Sequence, residues 1–302
     1  MSVARTPRGA DLTGSLLAVA MGVLFAFVVI FGKNLLHGEP PFTLLCFRFG
    51  VTALLLALVA VLTRVPLLAA PGERLGLALA GLFGYGVESA LYFGALNHGS
   101  AAAVTLLFYL YPVWVMLVAS LLDRRVPARV LMLALAMALA GGATVIVGGA
   151  GIDIATLGVV LAVLCSVAYT AYLIAADRIA KRSAPLTTGL WVAAGASLAN
   201  LTFALASGTW TMPSGAAAPL RVLAMGVFTA GAFVCMIASL QRIGAVRNAI
   251  LGVIEPLMVA VLAAIFLDEP VSASLALGGA LILVGGVIAT LARGERIVEP
   301  DL

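Results

Sequence analysis

The sequence breaks into ten apolar runs, each about 20 residues long, joined by connections of only a few polar residues. They fall at 13–32, 42–63, 74–96, 100–122, 128–148, 155–176, 187–206, 219–240, 245–267 and 272–292. A helix of about 20 apolar residues crosses the ~30 Å hydrocarbon layer of a bilayer with all its backbone polar groups bonded internally. Of the 302 residues, 63% are hydrophobic and 10% charged, against about 45–50% and about 25% in a soluble domain. Lipid must therefore be the solvent for most of the chain. The expected fold class is an all-α membrane protein with ten transmembrane helices. The connections leave no room for a soluble domain, and the tails, Met1–Asp11 and Arg293–Leu302, are expected to be polar and loose.

The basic residues set a topology. Fourteen of the 17 lysines and arginines sit in the two tails and in the connections after helices two, four, six and eight. They include Arg5, Arg8, Arg64, Arg74, Arg124, Arg125, Arg129, Arg178, Lys181, Arg182, Arg242 and Arg247. The other side holds only Lys33 and Arg221, while Arg48 lies inside helix two. By the positive-inside rule both termini are expected to be cytoplasmic, and an odd number of spans would break the pattern. The net charge of +4 is thus a membrane signature, and no nucleic-acid partner is expected. Arg5 and Arg8 before an apolar run imitate a signal peptide. The run from Thr13 to Phe31 is nevertheless long enough to span and has a counterpart later in the chain, so it is expected to persist as helix one.

That counterpart belongs to an internal repeat. Shifted by 144 residues, Pro112 meets Pro256, Gly141-Gly142 meets Gly285-Gly286, Gly14 meets Gly158 and Pro41 meets Pro185, all in one ungapped register. Leu17-Ala18-Val19 likewise meets Leu161-Ala162-Val163. Two units are expected, 1–150 and 151–302. Each has an odd number of spans, so the second enters the membrane upside down relative to the first. Inverted repeats are typical of secondary transporters, whose substrate site lies near the midplane between the halves.

The end of each unit carries a resemblance. Tyr111-Pro112 opens the second half of helix four, and Asp123-Arg124-Arg125 follows it; Ile254-Glu255-Pro256 lies within helix nine, and Leu267-Asp268-Glu269-Pro270 follows. A Glu-Pro at mid-helix, ended by an acid-acid-Pro turn, resembles the drug/metabolite transporter superfamily in its EamA-type exporter branch. The first copy departs from that pattern, with Tyr111 in place of Glu and a basic turn. The resemblance covers essentially the whole chain. It implies export of small metabolites, and within the branch it points toward the YddG-type aromatic amino-acid exporters.

Charged groups inside a bilayer are expensive and mark candidate functional positions. Glu255 lies near the centre of helix nine, where it serves proton coupling, binds a substrate amine, or is a structural acid beside a Pro256 kink. Asn248 shares its face at helical spacing. Glu88 in helix three shares a face with Tyr85 and Tyr92, which suits a cationic amine or an aromatic ring, or a plain helix–helix contact. Arg48 binds a carboxylate, pairs with an acid, or snorkels. Tyr169 and Tyr172 share a face of helix six, while Phe108, Tyr111 and Trp114 crowd helix four beside Pro112. Together these aromatics form either an aromatic-lined substrate cavity or ordinary bundle packing. Pro112 and Pro256 are candidate flexing points. The Gly141-Gly142 and Gly285-Gly286 pairs read as packing surfaces, within the bundle or in a homodimer. Cys46, Cys165 and Cys235 are expected to be free buried thiols, with no metal site and no cofactor.

Three function classes compete. The first is a secondary exporter of small metabolites across the bacterial inner membrane, working by alternating access. Amino acids with aromatic or other hydrophobic side chains are its foremost substrates; amphipathic cations, drugs or nucleosides are the alternative. Protons are a candidate coupling partner, the bilayer is the other, and the protein is a monomer or a homodimer. A membrane-embedded enzyme would need a catalytic set, yet the histidines, His37 and His98, lie in unrelated loops and no hydrolase or metalloprotease motif occurs. A channel would need charged rings or carbonyl-rich loops, and a sensor would need an output domain.

Overall fold

The computed structural model describes residues 12–36, 38–122, 129–147, 154–179, 182–213, 218–252 and 254–298. Met1–Asp11 with Arg5 and Arg8, His37, the turn at 123–125 and Lys181 lie outside the described residues. The elements are α1 (Leu12–Leu35), α2 (Pro41–Leu62), α3 (Arg74–Leu96), α4a (Ala101–Phe108), α4b (Tyr111–Leu122), α5 (Arg129–Val147), α6 (Thr156–Ile179), α7 (Pro185–Ala206), α8 (Ala218–Gly252), α9 (Ile254–Phe266) and α10 (Ala273–Val298). Among the described residues there is no strand, only one isolated bridge between Gly99 and Ile154. Six stretches are long and apolar enough to cross a membrane unaided. The other four expected spans appear as the shorter apolar helices Ala101–Val115, Met132–Val145, Ile254–Phe266 and Ala273–Ile288.

The prolines explain several boundaries. Pro41 and Pro185, repeat mates, open α2 and α7, where the missing N–H costs nothing. Pro112 follows a break: helix four stops at Phe108 and restarts at Tyr111. Its repeat mate Pro256 has no N–H to give the Gly252 carbonyl one turn earlier, which leaves that carbonyl open to another partner. Interrupted helices within inverted halves are where transporters build their sites.

Two expectations are corrected. The connection between helices eight and nine is helical throughout, within the 35 residues of α8. A straight helix would carry Gly252 about 20 Å beyond Ser239. Yet Ser239 donates to the Gly14 carbonyl at one end of α1, while Gly252 lies against Met21, two turns further along α1. The chain therefore doubles back inside α8, and the ten-span arrangement stands. The polar C-terminal tail is also more regular than expected, since α10 continues to Val298.

Packing follows the repeat. The repeat mates α5 and α10 lie along each other, as do α2 and α7; α1 packs on α8 as α6 packs on α3, and α2 packs on α8 as α7 packs on α3. Lipid tails are as apolar as leucine, so close contact rather than hydrophobic burial must hold such helices together. A Cβ at Gly141 would lie 2.6 Å from the Gly278 carbonyl oxygen, and one at Gly285 2.8 Å from the Ala134 carbonyl oxygen. Gly278 and Ala134 are repeat mates, so this is one crossing met twice. Gly142 faces Leu107 and Leu110, and Gly286 faces Pro112. Both glycine pairs are engaged inside the chain, which removes them as a homodimer surface. Leu54, Leu62, Phe83, Leu121 and Ile265 point outward to lipid.

Charges at the helix ends tie the halves together. The Glu269 carboxylate accepts from Ala101 N at 2.8 Å and Ala102 N at 3.3 Å, capping α4a from the opposite repeat. Within the first half, Lys33 Nζ donates to the carbonyls of Leu96 and Gly99, at and just after the end of α3. At the other end, buried Glu73 accepts from the Arg182 and Ser183 amides just before α7.

Candidate functional site

Helix three is shaped by two close approaches. A Cβ at Gly81 would lie 2.6 Å from the Val192 carbonyl oxygen, and one at Gly86 2.7 Å from the Ala199 Cβ, both on α7. Residues five apart share a face only across a widened turn, and Ala80–Tyr85 forms such a π turn. Asn200 of α7 donates to the Gly86 carbonyl at 3.4 Å and the Ala196 carbonyl at 2.9 Å, covering part of that irregular backbone. Ser89 donates to the Tyr85 carbonyl at 2.6 Å. The π turn presents Tyr85, Glu88, Ser89, Tyr92 and Phe93 to the middle of the bundle.

There they meet a cavity of about 60 Å³. Phe25, Val28 and Val29 of α1 form one wall; Phe108 of α4a and Tyr169 of α6 form another; Arg48 and Glu255 enter from α2 and α9. Six elements from both repeats thus contribute. The lining has the apolar and aromatic character, with a few polar groups, that is usual for ligand pockets.

The three charged groups are held differently. Arg48 is buried, at 4% exposure; its Nε donates to Thr229 Oγ1 at 2.9 Å. Its guanidinium lies 4.6 Å from the Phe49 ring centroid and 5.4 Å from that of Phe93, within cation–π range. Glu88 is buried, with Cys165 Sγ 3.6 Å from its Oε1. The Tyr109 hydroxyl lies 3.1 Å from Glu255 Oε2 and donates at 2.7 Å to the Gly252 carbonyl, which Pro256 cannot bond for lack of an N–H. None of the three has an equivalent in the other repeat. At the shift of 144, Arg48 meets Val192, Glu88 meets Ala232 and Glu255 meets Tyr111. The symmetry of the scaffold therefore fails at the charges of its central cavity.

Of the residues singled out in the sequence, Tyr85, Glu88, Tyr92, Phe108, Tyr169 and Glu255 line this cavity together. Tyr111 and Tyr172 stand one ring behind it, with centroids 4.9 and 5.9 Å from that of Tyr169. Trp114 is a bundle contact, its Nε1 donating to Ser166 Oγ at 2.8 Å. The side chain of Asn248 lies outside the described ones, although its backbone belongs to α8. Sequence reasoning misses the α1 wall because Phe25, Val28 and Val29 carry no polar side-chain atom. A signal is present all the same, since the shift of 144 places Phe25 on Tyr169 and Val28 on Tyr172. Among the described residues no cluster of His, Cys, Asp or Glu is suited to a metal, and Cys46, Cys165 and Cys235 are free.

Comparison with known proteins agrees with this architecture. A solved crystal structure superposes with a TM-score of 0.68 at 23% identity, covering 95% of this chain and 99% of its own. At that identity it speaks for the fold. No protein of curated function matches the sequence. The model of the EamA-like transporter family matches twice, over residues 12–147 and 156–291, and both the starts and the ends of the two matches differ by the 144 residues of the internal repeat. The chain belongs to the EamA-like transporter family and is a membrane transporter of the drug/metabolite type, carrying one family unit in each half.

Proposed function

We propose that this protein exports small hydrophobic metabolites, foremost amino acids with aromatic or other hydrophobic side chains, across the cytoplasmic membrane of a bacterium. Both termini face the cytoplasm, as the clustering of arginine and lysine in the tails and even-numbered connections indicates. The units 1–150 and 151–302 rock against each other and expose the cavity to each side in turn. Pro112 and Pro256 are the flexing points, because each proline removes a rung from the helical hydrogen-bond ladder.

The observation that carries this reading is the cavity itself. It lies where the inverted repeats meet, beside the break in helix four, and the rings of Phe25, Tyr85, Tyr92, Phe93, Phe108 and Tyr169 face it. Such a surface favours a flat apolar side chain. The test is counterflow of labelled phenylalanine into liposomes containing the purified chain, challenged with unlabelled tryptophan, tyrosine, threonine, methionine and a nucleoside. Inhibition by tryptophan and tyrosine supports an aromatic substrate. Equal inhibition by threonine and methionine widens it to amino acids in general. Absence of counterflow from folded protein overturns the amino-acid assignment.

A second reading has one observation in its favour. Two carboxyl groups, Glu88 and Glu255, face the cavity against one guanidinium, Arg48. That imbalance suits an amphipathic cation, and uptake of tetraphenylphosphonium in place of phenylalanine distinguishes the two.

A further inference from the structure

Arg48 and Glu88 share one cavity, yet among the described residues they form no ion pair with each other or with any other group. Leaving buried charges unpaired in a low-dielectric interior is costly, so their arrangement asks for a bridge. Each is held on one side only. Arg48 is fixed through Nε by Thr229 and by the faces of Phe49 and Phe93, with the Tyr85 hydroxyl beside it, and the rest of its terminal N–H edge has no partner among the described residues. Glu88 is met at Oε1 by Cys165, and among the described residues no donor reaches Oε2. The single buried side-chain atom lacking both a partner and open space, among the described residues, is Asn200 Oδ1. The spare edges of Arg48 and Glu88 therefore border the cavity rather than packed protein.

Resting on the exporter reading above, we infer that Arg48 and Glu88 form a two-ended clamp for the α-carboxylate and α-ammonium of a free amino acid, so that they set specificity for a zwitterion. The guanidinium donates paired N–H groups to the carboxylate, the Glu88 carboxylate accepts from the ammonium, and the side chain lies among Phe108, Tyr92 and Tyr169. Glu255, occupied by Tyr109, is left to support helix nine beside Pro256. A single clamp is possible because Arg48 and Glu88 are absent from the other repeat. A symmetric pair of clamps would hold two ligands or none.

The test uses the full chain in liposomes with labelled phenylalanine counterflow. The competitors are unlabelled phenylalanine, phenethylamine, which lacks the carboxylate, and 3-phenylpropionate, which lacks the amine. The wild type is expected to favour phenylalanine over either analogue at least tenfold. Arg48→Gln is expected to bring phenethylamine within about threefold of phenylalanine, with partial recovery of selectivity in Arg48→Lys; Glu88→Gln is expected to do the same for 3-phenylpropionate. These ratios report recognition and would not move if either residue only supported the fold. The wild-type comparison stands even if a variant does not fold. Counterflow in which both analogues compete as well as phenylalanine overturns the clamp and leaves the exporter reading intact. Folded wild-type protein that moves no amino acid overturns both.

Discussion

Arg48 of the first repeat is oriented by Thr229 of the second, across a 2.9 Å bond from Nε to Oγ1. Thr229 is the repeat mate of Tyr85, which also interacts with Arg48. The buried cation of the cavity is thus met by two equivalent positions of the inverted halves. Thr229 Oγ1 also donates back to the Met225 carbonyl at 2.7 Å, so its hydroxyl is fixed before it accepts from Arg48. Losing that acceptor leaves a buried charged donor unpaired, worth about 1–3 kcal/mol. Thr229→Val is therefore expected to weaken phenylalanine inhibition of counterflow by about thirtyfold, taking the middle of that range. Thr229→Ser, which keeps the hydroxyl, is expected to stay near wild type. Equal loss in both variants would show that the methyl packing, not the bond to Arg48, is what matters.

The α5–α10 crossing predicts a matched pair of stability losses. Gly141 and Gly285 are repeat mates, and a methyl on either meets a backbone oxygen, at 2.6 and 2.8 Å. Backbone cannot swing away as a side-chain tip can, so the helices must separate. Overpacking of this kind typically costs about 1–3 kcal/mol. Gly141→Ala and Gly285→Ala are each expected to lower the thermal unfolding temperature in detergent by several degrees and by similar amounts. Gly38→Ala is the control, since nothing lies within 4 Å of its added methyl. Unchanged melting of both crossing variants would mean that α5 and α10 do not meet in this way.

Glu269 predicts a cap that works across the repeats. Its two oxygens cover the Ala101 and Ala102 amides, while Ser100 reaches only Ala103, at 3.3 Å. A lost cap and a lost charge at a helix N-terminus together remove about 1–2 kcal/mol. Glu269→Ala should show that loss in thermal unfolding, and Glu269→Gln about half of it, because one acceptor remains. If neither variant melts earlier, the acid-acid-Pro turn does not support helix four.

The parts of the molecule governed by single residues and by the shift of 144 are legible in the sequence. Pro41 and Pro185 mark helix starts and Pro112 a break, because proline removes a donor wherever it stands. Glu88 and Glu255 stand out because a carboxyl inside an apolar run is too costly to keep without a role. What stays hidden depends on neighbours. Trp114 reads as a cavity ring until its partner, Ser166, arrives from 52 positions away. The glycine pairs read as available to a second copy because Gly278 and Ala134, which they touch, each come from the other half. The reversal after helix eight is announced by Arg242 and Arg247 between two apolar runs, but nothing local announces that it is made in helical backbone. The π turn is forced by contacts of Gly81 and Gly86 with α7, which no local pattern encodes.

The orientation of the bundle can be fixed with two exposed positions. Thr63 follows α2 at the end rich in arginine, close to Arg64, and Ser207 follows α7 at the opposite end; both are exposed. The two ends cannot both face the same compartment, because α2 and α7 are repeat mates that run in opposite senses through the membrane. In a background with Cys46, Cys165 and Cys235 replaced by alanine, Ser207→Cys is expected to react with a membrane-impermeant maleimide on intact cells. Thr63→Cys is expected to react only after the cells are permeabilised. The reverse pattern would place both termini outside and turn the positive-inside argument over. Labelling of both positions on intact cells would mean that one of the two halves does not cross the bilayer as the packing requires.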